Sequence, residues 1–113
     1  MGYFSDVAIG MKKKDYDALL EMYKADEDMI YFLTEEPKIK IQDDEIGLLY
    51  YGIKWYEGDY KEVTAIMDYL TEIDDYYYLR FGEDYFDCDE AYNGDCDVLM
   101  GLFYSRREIN LRR

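Results

Sequence analysis

The chain has 113 residues and not one histidine. That absence excludes Ser-His and Cys-His nucleophile pairs, an imidazole acid or base near neutral pH, and the usual zinc ligand. Two cysteines, Cys88 and Cys96, are too few for a disulfide scaffold and do not build a zinc site alone. No apolar run approaches the roughly eighteen residues of a membrane span. The start, MGYFSDVAIG, lacks the charged and apolar regions of a signal peptide. Gly2 follows Met1, but Asp6 stands where a myristoylation signal requires Ser or Thr. A phosphate-cradling glycine loop and a dinucleotide fingerprint are missing as well. The resulting expectation is a cytosolic protein with reduced thiols, no cofactor, no membrane partner and no enzymatic activity.

What is present points to a folded binding protein. Half of the residues are apolar and 19% are aromatic, which separates this chain from disordered acidic tails. The length fits one domain spanning residues 1–113. Fifteen residues are Tyr, against one Trp and five Phe; Tyr buries a ring while keeping a hydroxyl for a partner. Thirteen basic and twenty-seven acidic residues leave a net charge of −14. Such a chain repels nucleic acid and anionic membrane and attracts basic partners.

Hydrophobic spacing alternates between two periods. Residues 3–11 read as a strand with Val7, Ile9 and Met11 on one face. In KKKDYDALLEMYKA, Tyr16, Leu19, Leu20 and Tyr23 share a helical face, predicting a helix over 13–24. Residues 25–36 read equally as helix or strand, and Pro37 closes them. KIKIQ alternates, DDE turns the chain, and IGLLYYGIKWYEG follows as the longest strand. Simple alternation there puts Leu49, Tyr51, Ile53 and Trp55 on one face and Tyr50, Gly52, Lys54 and Tyr56 on the other. Gly58 and Asp59 break it, with Asp59 a candidate N-cap. Val63, Ile66, Met67 and Leu70 then mark a helix over 59–73. YYYLRFG and VLMGLFYSRREI read as further strands. The expected fold is α+β: four to five antiparallel strands with two helices on one face, in ferredoxin-like βαββαβ order, plus an acidic β-hairpin.

That hairpin is GEDYFDCDEAYNGDCD, residues 82–97, with seven carboxylates and no Lys or Arg. Read as a calcium loop with Gly94 at the sixth position, it places Ala91 and Met100 where ligands are required, so no metal site is expected. Asn93-Gly94 is instead a hairpin turn signal. Two-residue closure would set Cys96 opposite Ala91 rather than Cys88, so the cysteines read as small buried or reduced thiols. Asp87 and Asp89 would line one arm and Asp95 and Asp97 the other, with same-face neighbours about 6.6 Å apart. That interval is roughly two phosphate steps of a nucleic-acid strand. Two readings stay open: a carboxylate ladder that mimics phosphates, or edge charges that block aggregation. Carboxylates about 6 Å apart repel by about 3 kcal/mol at an effective dielectric near 20, less where water screens them. Either the charge is needed, or a cation relieves it.

Tyr50, Tyr56, Tyr76 and Tyr78 are candidates for an exposed aromatic patch, or for ordinary half-exposed sheet positions. Arg106, Arg107, Arg112 and Arg113 end a strongly acidic chain; they either pair with acids of a neighbouring strand or subunit or form a solvated tail.

Three segments, MGYFSDVAIGM, YYGIKWYEGDYKEVTAIMDYL and YLRFGEDYFD, resemble a recurring family of small phage and prophage proteins. The resemblance spans the chain apart from roughly residues 24–45 and the tail, and it carries no catalytic residues. It implies a context: small acidic phage proteins are often inhibitors of host machinery or antiviral defence, some by mimicking DNA. The expected function is therefore inhibition of a basic, nucleic-acid-binding host or defence protein, without direct contact to nucleic acid. The expected contact residues are Glu83, Asp84, Asp87, Asp89, Glu90, Asp95 and Asp97. The alternatives are a structural or assembly protein, such as a homodimer joined at a sheet edge or Tyr-rich face, and a metal-dependent carboxylate enzyme.

Overall fold

The computed structural model describes residues 4–56, 58–82 and 87–94. Its elements run β1 (Ser5–Lys12), α1 (Lys13–Met22), α2 (Glu27–Thr34), β2 (Lys38–Gln42), β3 (Glu45–Ile53), α3 (Lys61–Leu70), β4 (Tyr76–Phe81) and β5 (Cys88–Asn93). The strands form one antiparallel sheet in the order β2-β3-β1-β4-β5. The α+β expectation holds. The first four strands take the ferredoxin-like arrangement, and β5 extends the sheet beyond β4.

Val7, Ile9 and Met11 face the helices, as their alternation requires, and form one core with Tyr16, Leu19, Met29, Leu33, Val63, Ile66 and Leu70. Burying each large aliphatic side chain there contributes about 1.5–3 kcal/mol relative to leaving it in water. All three helices feed this core, so among the described residues the helical layer holds three helices and not two. The third is α2. Asp26 caps it by accepting a hydrogen bond from the Met29 backbone N–H at 3.2 Å, which satisfies one of the orphan donors of a helix start. The last carbonyls of α2 are satisfied from outside the helix: Tyr50 Oη donates to the Phe32 carbonyl at 2.6 Å and Tyr16 Oη to that of Leu33 at 2.8 Å.

Those bonds correct the aromatic-patch expectation. Tyr50 is 1% exposed and Tyr78 5%, both in the core beneath the helices, while Tyr56 and Tyr76 are half-buried. Simple alternation fails in β3 because of Gly52. It adopts φ +59° and donates its N–H to Asp6 Oδ1 at 2.9 Å, and the pairing with β1 shifts register there, from Val7–Tyr50 to Ser5–Ile53. This is a β-bulge with glycine in the left-handed region. The extra residue inverts the faces, so Leu49 lies on the second face while Ile53 and Trp55 join the helix-side core. The N-cap of α3 is Tyr60 and not Asp59. On the second sheet face Ala8, Leu49 and Leu79 are buried, flanked by Tyr77 and Phe81. The expected last strand and the C-terminal arginines lie outside the described residues.

Candidate functional site

Pairing of β4 with β5 brings a cation to the acidic segment. Arg80 sits opposite Asp89 in the register, and its guanidinium is partly buried. Nε and Nη2 both donate to Asp89 Oδ2, at 2.9 and 2.7 Å. Nη2 also donates to Asp87 Oδ1 at 2.7 Å, and Nη1 donates to Asp87 Oδ2 at 3.3 Å and to Ser5 Oγ at 3.0 Å. These five bonds match the five N–H donors of a guanidinium. Burial pulls the Arg80 pKa down; the hydrogen bonds and charges of Asp87 and Asp89 more than reverse that and leave it above its ordinary value. The cation that relieves repulsion between these two carboxylates is thus part of the chain.

The seven expected contact residues separate into three groups. Asp87 and Asp89 are brought together on the helix side of β5. Glu90 points to the other face, where the Tyr77 hydroxyl donates to it and Tyr77 stacks on Tyr92 with ring centroids 5.7 Å apart. Glu83, Asp84, Asp95 and Asp97 lie outside the described residues. At Gly94, where the turn signal sits, φ is +64°. Among the described residues no three His, Cys, Asp or Glu side chains come together as a metal-holding group.

Beside the Arg80 pairs lies a cleft of about 360 Å³, lined among the described residues by Trp55, Tyr56, Asp59, Met67, Tyr78, Arg80, Asp87 and Asp89. That volume is at the lower end of small-ligand sites, about 300–1,000 Å³. An apolar groove on the second sheet face, bordered by Ala8, Leu49, Leu79 and Phe81, has only about 10 Å³, room for one water at most. The cleft is the larger candidate by far. Its inner wall is the end of an aromatic series. Phe32 and Tyr50 stack at 4.9 Å, Tyr50 and Trp55 lie 5.4 Å apart, and Trp55 and Tyr78 6.5 Å. Trp55 is 7% exposed, and its Nε1–H is buried without a hydrogen-bond partner among the described residues. An orphaned donor of that kind costs about 1–3 kcal/mol.

Sequence reasoning missed Arg80, Trp55, Tyr56 and Asp59 as one constellation. A signal existed for the first: Arg80 is the one basic residue between Lys61 and Arg106, so any acid folding against β4 would meet it.

No helix among the described residues is long and apolar enough to cross a membrane. No family model matches the chain, and neither curated proteins nor solved structures give a match.

Proposed function

We propose that this chain is a non-enzymatic acidic binding protein that occupies the phosphate-binding surface of a basic partner. The resemblance to small phage proteins makes that partner a nucleic-acid-binding host or defence protein, and the consequence of binding its inhibition. The observation that carries this reading is the Asp87–Arg80–Asp89 arrangement. Two carboxylates at strand spacing are fixed along β5, the outermost strand on that side among the described residues, by a fully bonded guanidinium, so presenting them to a partner's Lys and Arg costs little ordering entropy. One arginine against two carboxylates leaves a negative local charge, and the net charge of −14 steers basic partners towards it.

The test is capture of binding proteins from host lysate at low and high salt, repeated with Asp87, Asp89, Asp95 and Asp97 all changed to Asn. The reading expects basic partners that are lost at high salt and lost in the quadruple variant, while folding is retained. Unchanged capture by that variant at low salt removes the acidic segment from the mechanism.

A second reading, self-association, has its own support in β2. All five of its residues are exposed, including Ile39 and Ile41, and among the described residues it is the terminal strand on its side of the sheet. An exposed edge with apolar side chains is a template for another strand. Sedimentation showing a dimer that dissociates on Ile41→Lys would favour it; a monomer at all concentrations removes it.

A further inference from the structure

The geometry points to the Trp55–Arg80 cleft as a subsite for one organic cation, an alkylammonium or guanidinium group, which the basic partner presents as a lysine or arginine side chain. This inference rests on the acidic-binding reading above and adds the chemistry of one pocket to it.

The cleft does not suit an anion. Among the described residues that line it, the one basic group, Arg80, already directs its N–H donors to Asp87, Asp89 and Ser5. Three aspartates against one arginine make the lining contributed by the described residues negative. Acceptor capacity remains: the bonds from Arg80 to Asp89 all fall on Oδ2, leaving Oδ1 outside them. Asp59, also in the lining, is exposed. A hard divalent ion would need a cage of six or so oxygens, and no such grouping exists among the described residues. A soft organic cation needs less: a carboxylate or two, and aromatic faces whose quadrupole attracts positive charge. Trp55, Tyr56 and Tyr78 supply the rings, and Met67 adds a polarisable wall against an alkyl stem. Rings and carboxylates around one small cleft make a cage for an ammonium or guanidinium head.

Trp55 is the single tryptophan of the chain, so intrinsic fluorescence reads the cleft directly. Titration with N-acetylarginine methylamide should give a saturable change in emission. The citrulline analogue, its neutral isostere, should give none over the same range. Asp59→Asn, at an exposed position outside the Arg80 network, should weaken the arginine probe about twofold to fivefold, and Tyr56→Ala should also weaken it. Glu27→Gln, an exposed acid on α2, should leave it unchanged. Circular dichroism of each variant checks that the fold is kept. A response to citrulline equal to that to arginine, no saturable response, or equal affinity in folded Asp59→Asn and Tyr56→Ala would each overturn the inference. A captured partner that binds with the Trp55 emission unmoved would overturn it while leaving the acidic-surface reading standing. An arginine response without any captured basic partner would do the reverse.

Discussion

The hydroxyl of Tyr50 reaches the carbonyl of Phe32 at 2.6 Å, so a residue on a central strand closes the end of a helix that precedes it in the chain. Tyr16 does the same for Leu33, and Tyr69 Oη donates to the carbonyl of Asp15 at 2.6 Å. Three of the fifteen tyrosines thus have a structural role: their rings fill the core or its margin while their hydroxyls satisfy helix carbonyls. Burial raises the pKa of all three above 10.0, that of Tyr50 well above it.

That shift sets an alkaline limit. The unfolded chain ionises its tyrosines near 10.0, the folded chain only at higher pH. Stability is therefore fully present below about pH 10 and falls as pH rises from there through the folded values. Tyrosinate absorbance should show a group of tyrosines titrating late and together with loss of the circular dichroism signal. Tyr50→Phe should cost about 1–2 kcal/mol at neutral pH, because the Phe32 carbonyl loses its partner, and should flatten the alkaline fall.

Asp26 sets a limit on the acid side. The Met29 N–H at the start of α2 chiefly lowers its pKa below 3.8, with Lys61 adding to the effect. Its contribution is present above 3.8 and disappears as pH falls through the lowered value. Asp26→Asn keeps an acceptor for the cap but removes the titration. Denaturant midpoints at about pH 6 and about pH 3 should therefore differ less for the variant than for the parent.

Arg80→Lys should destabilise the chain by about 1–2 kcal/mol. An ammonium cannot reproduce the planar fork that spans Asp87, Asp89 and Ser5. Asp89→Asn should cost less, since the Asp89 side chain is 59% exposed and water screens its charge. Urea unfolding of both variants checks the order; equal stability of Arg80→Lys and parent would mean that the fork contributes nothing beyond a point charge.

Two glycines separate conformational strain from steric clash. Gly58 has φ +91° with nothing near a would-be Cβ, whereas a Cβ on Gly94, at φ +64°, would come within 2.5 Å of the Asp74 carbonyl oxygen. Gly58→Ala should therefore cost about 1 kcal/mol, the left-handed penalty alone. Gly94→Ala should cost clearly more, and thermal unfolding of the pair gives the difference.

Legibility in the sequence followed the range of the interactions. Val7, Ile9 and Met11, and the face of α3 from Val63 to Leu70, were readable because a single period runs through each. Helix α2 was not: eight residues with the contiguous apolar run Met29 to Leu33 fit either period, and Asp26 was the cue for a cap. In β3, one bulged glycine inverted the faces after it, which set Ile53 and Trp55 on the helix side while Leu49, before the bulge, stayed on the second face. The acids at 87 and 89 were legible as a cluster, but their partner was not. Arg80 meets them only through the β4–β5 register, which no local pattern encodes.

The position of β1 has a consequence for how the chain is made. Ile9 is flanked by Leu48 on one side and Tyr78 on the other, so β1, made before the other four described strands, waits longest of them for its second neighbour. Until Tyr78 has emerged, one edge of β1 has no strand to pair with, beside side chains as apolar as Val7 and Met11. Such an edge is open to the wrong strand during synthesis, and closing two long loops onto one central strand places folding among the slower mixed α/β domains. The rate at which the second half is translated then bears on yield: a pause before β4 prolongs the exposed intermediate, and a fast passage shortens it.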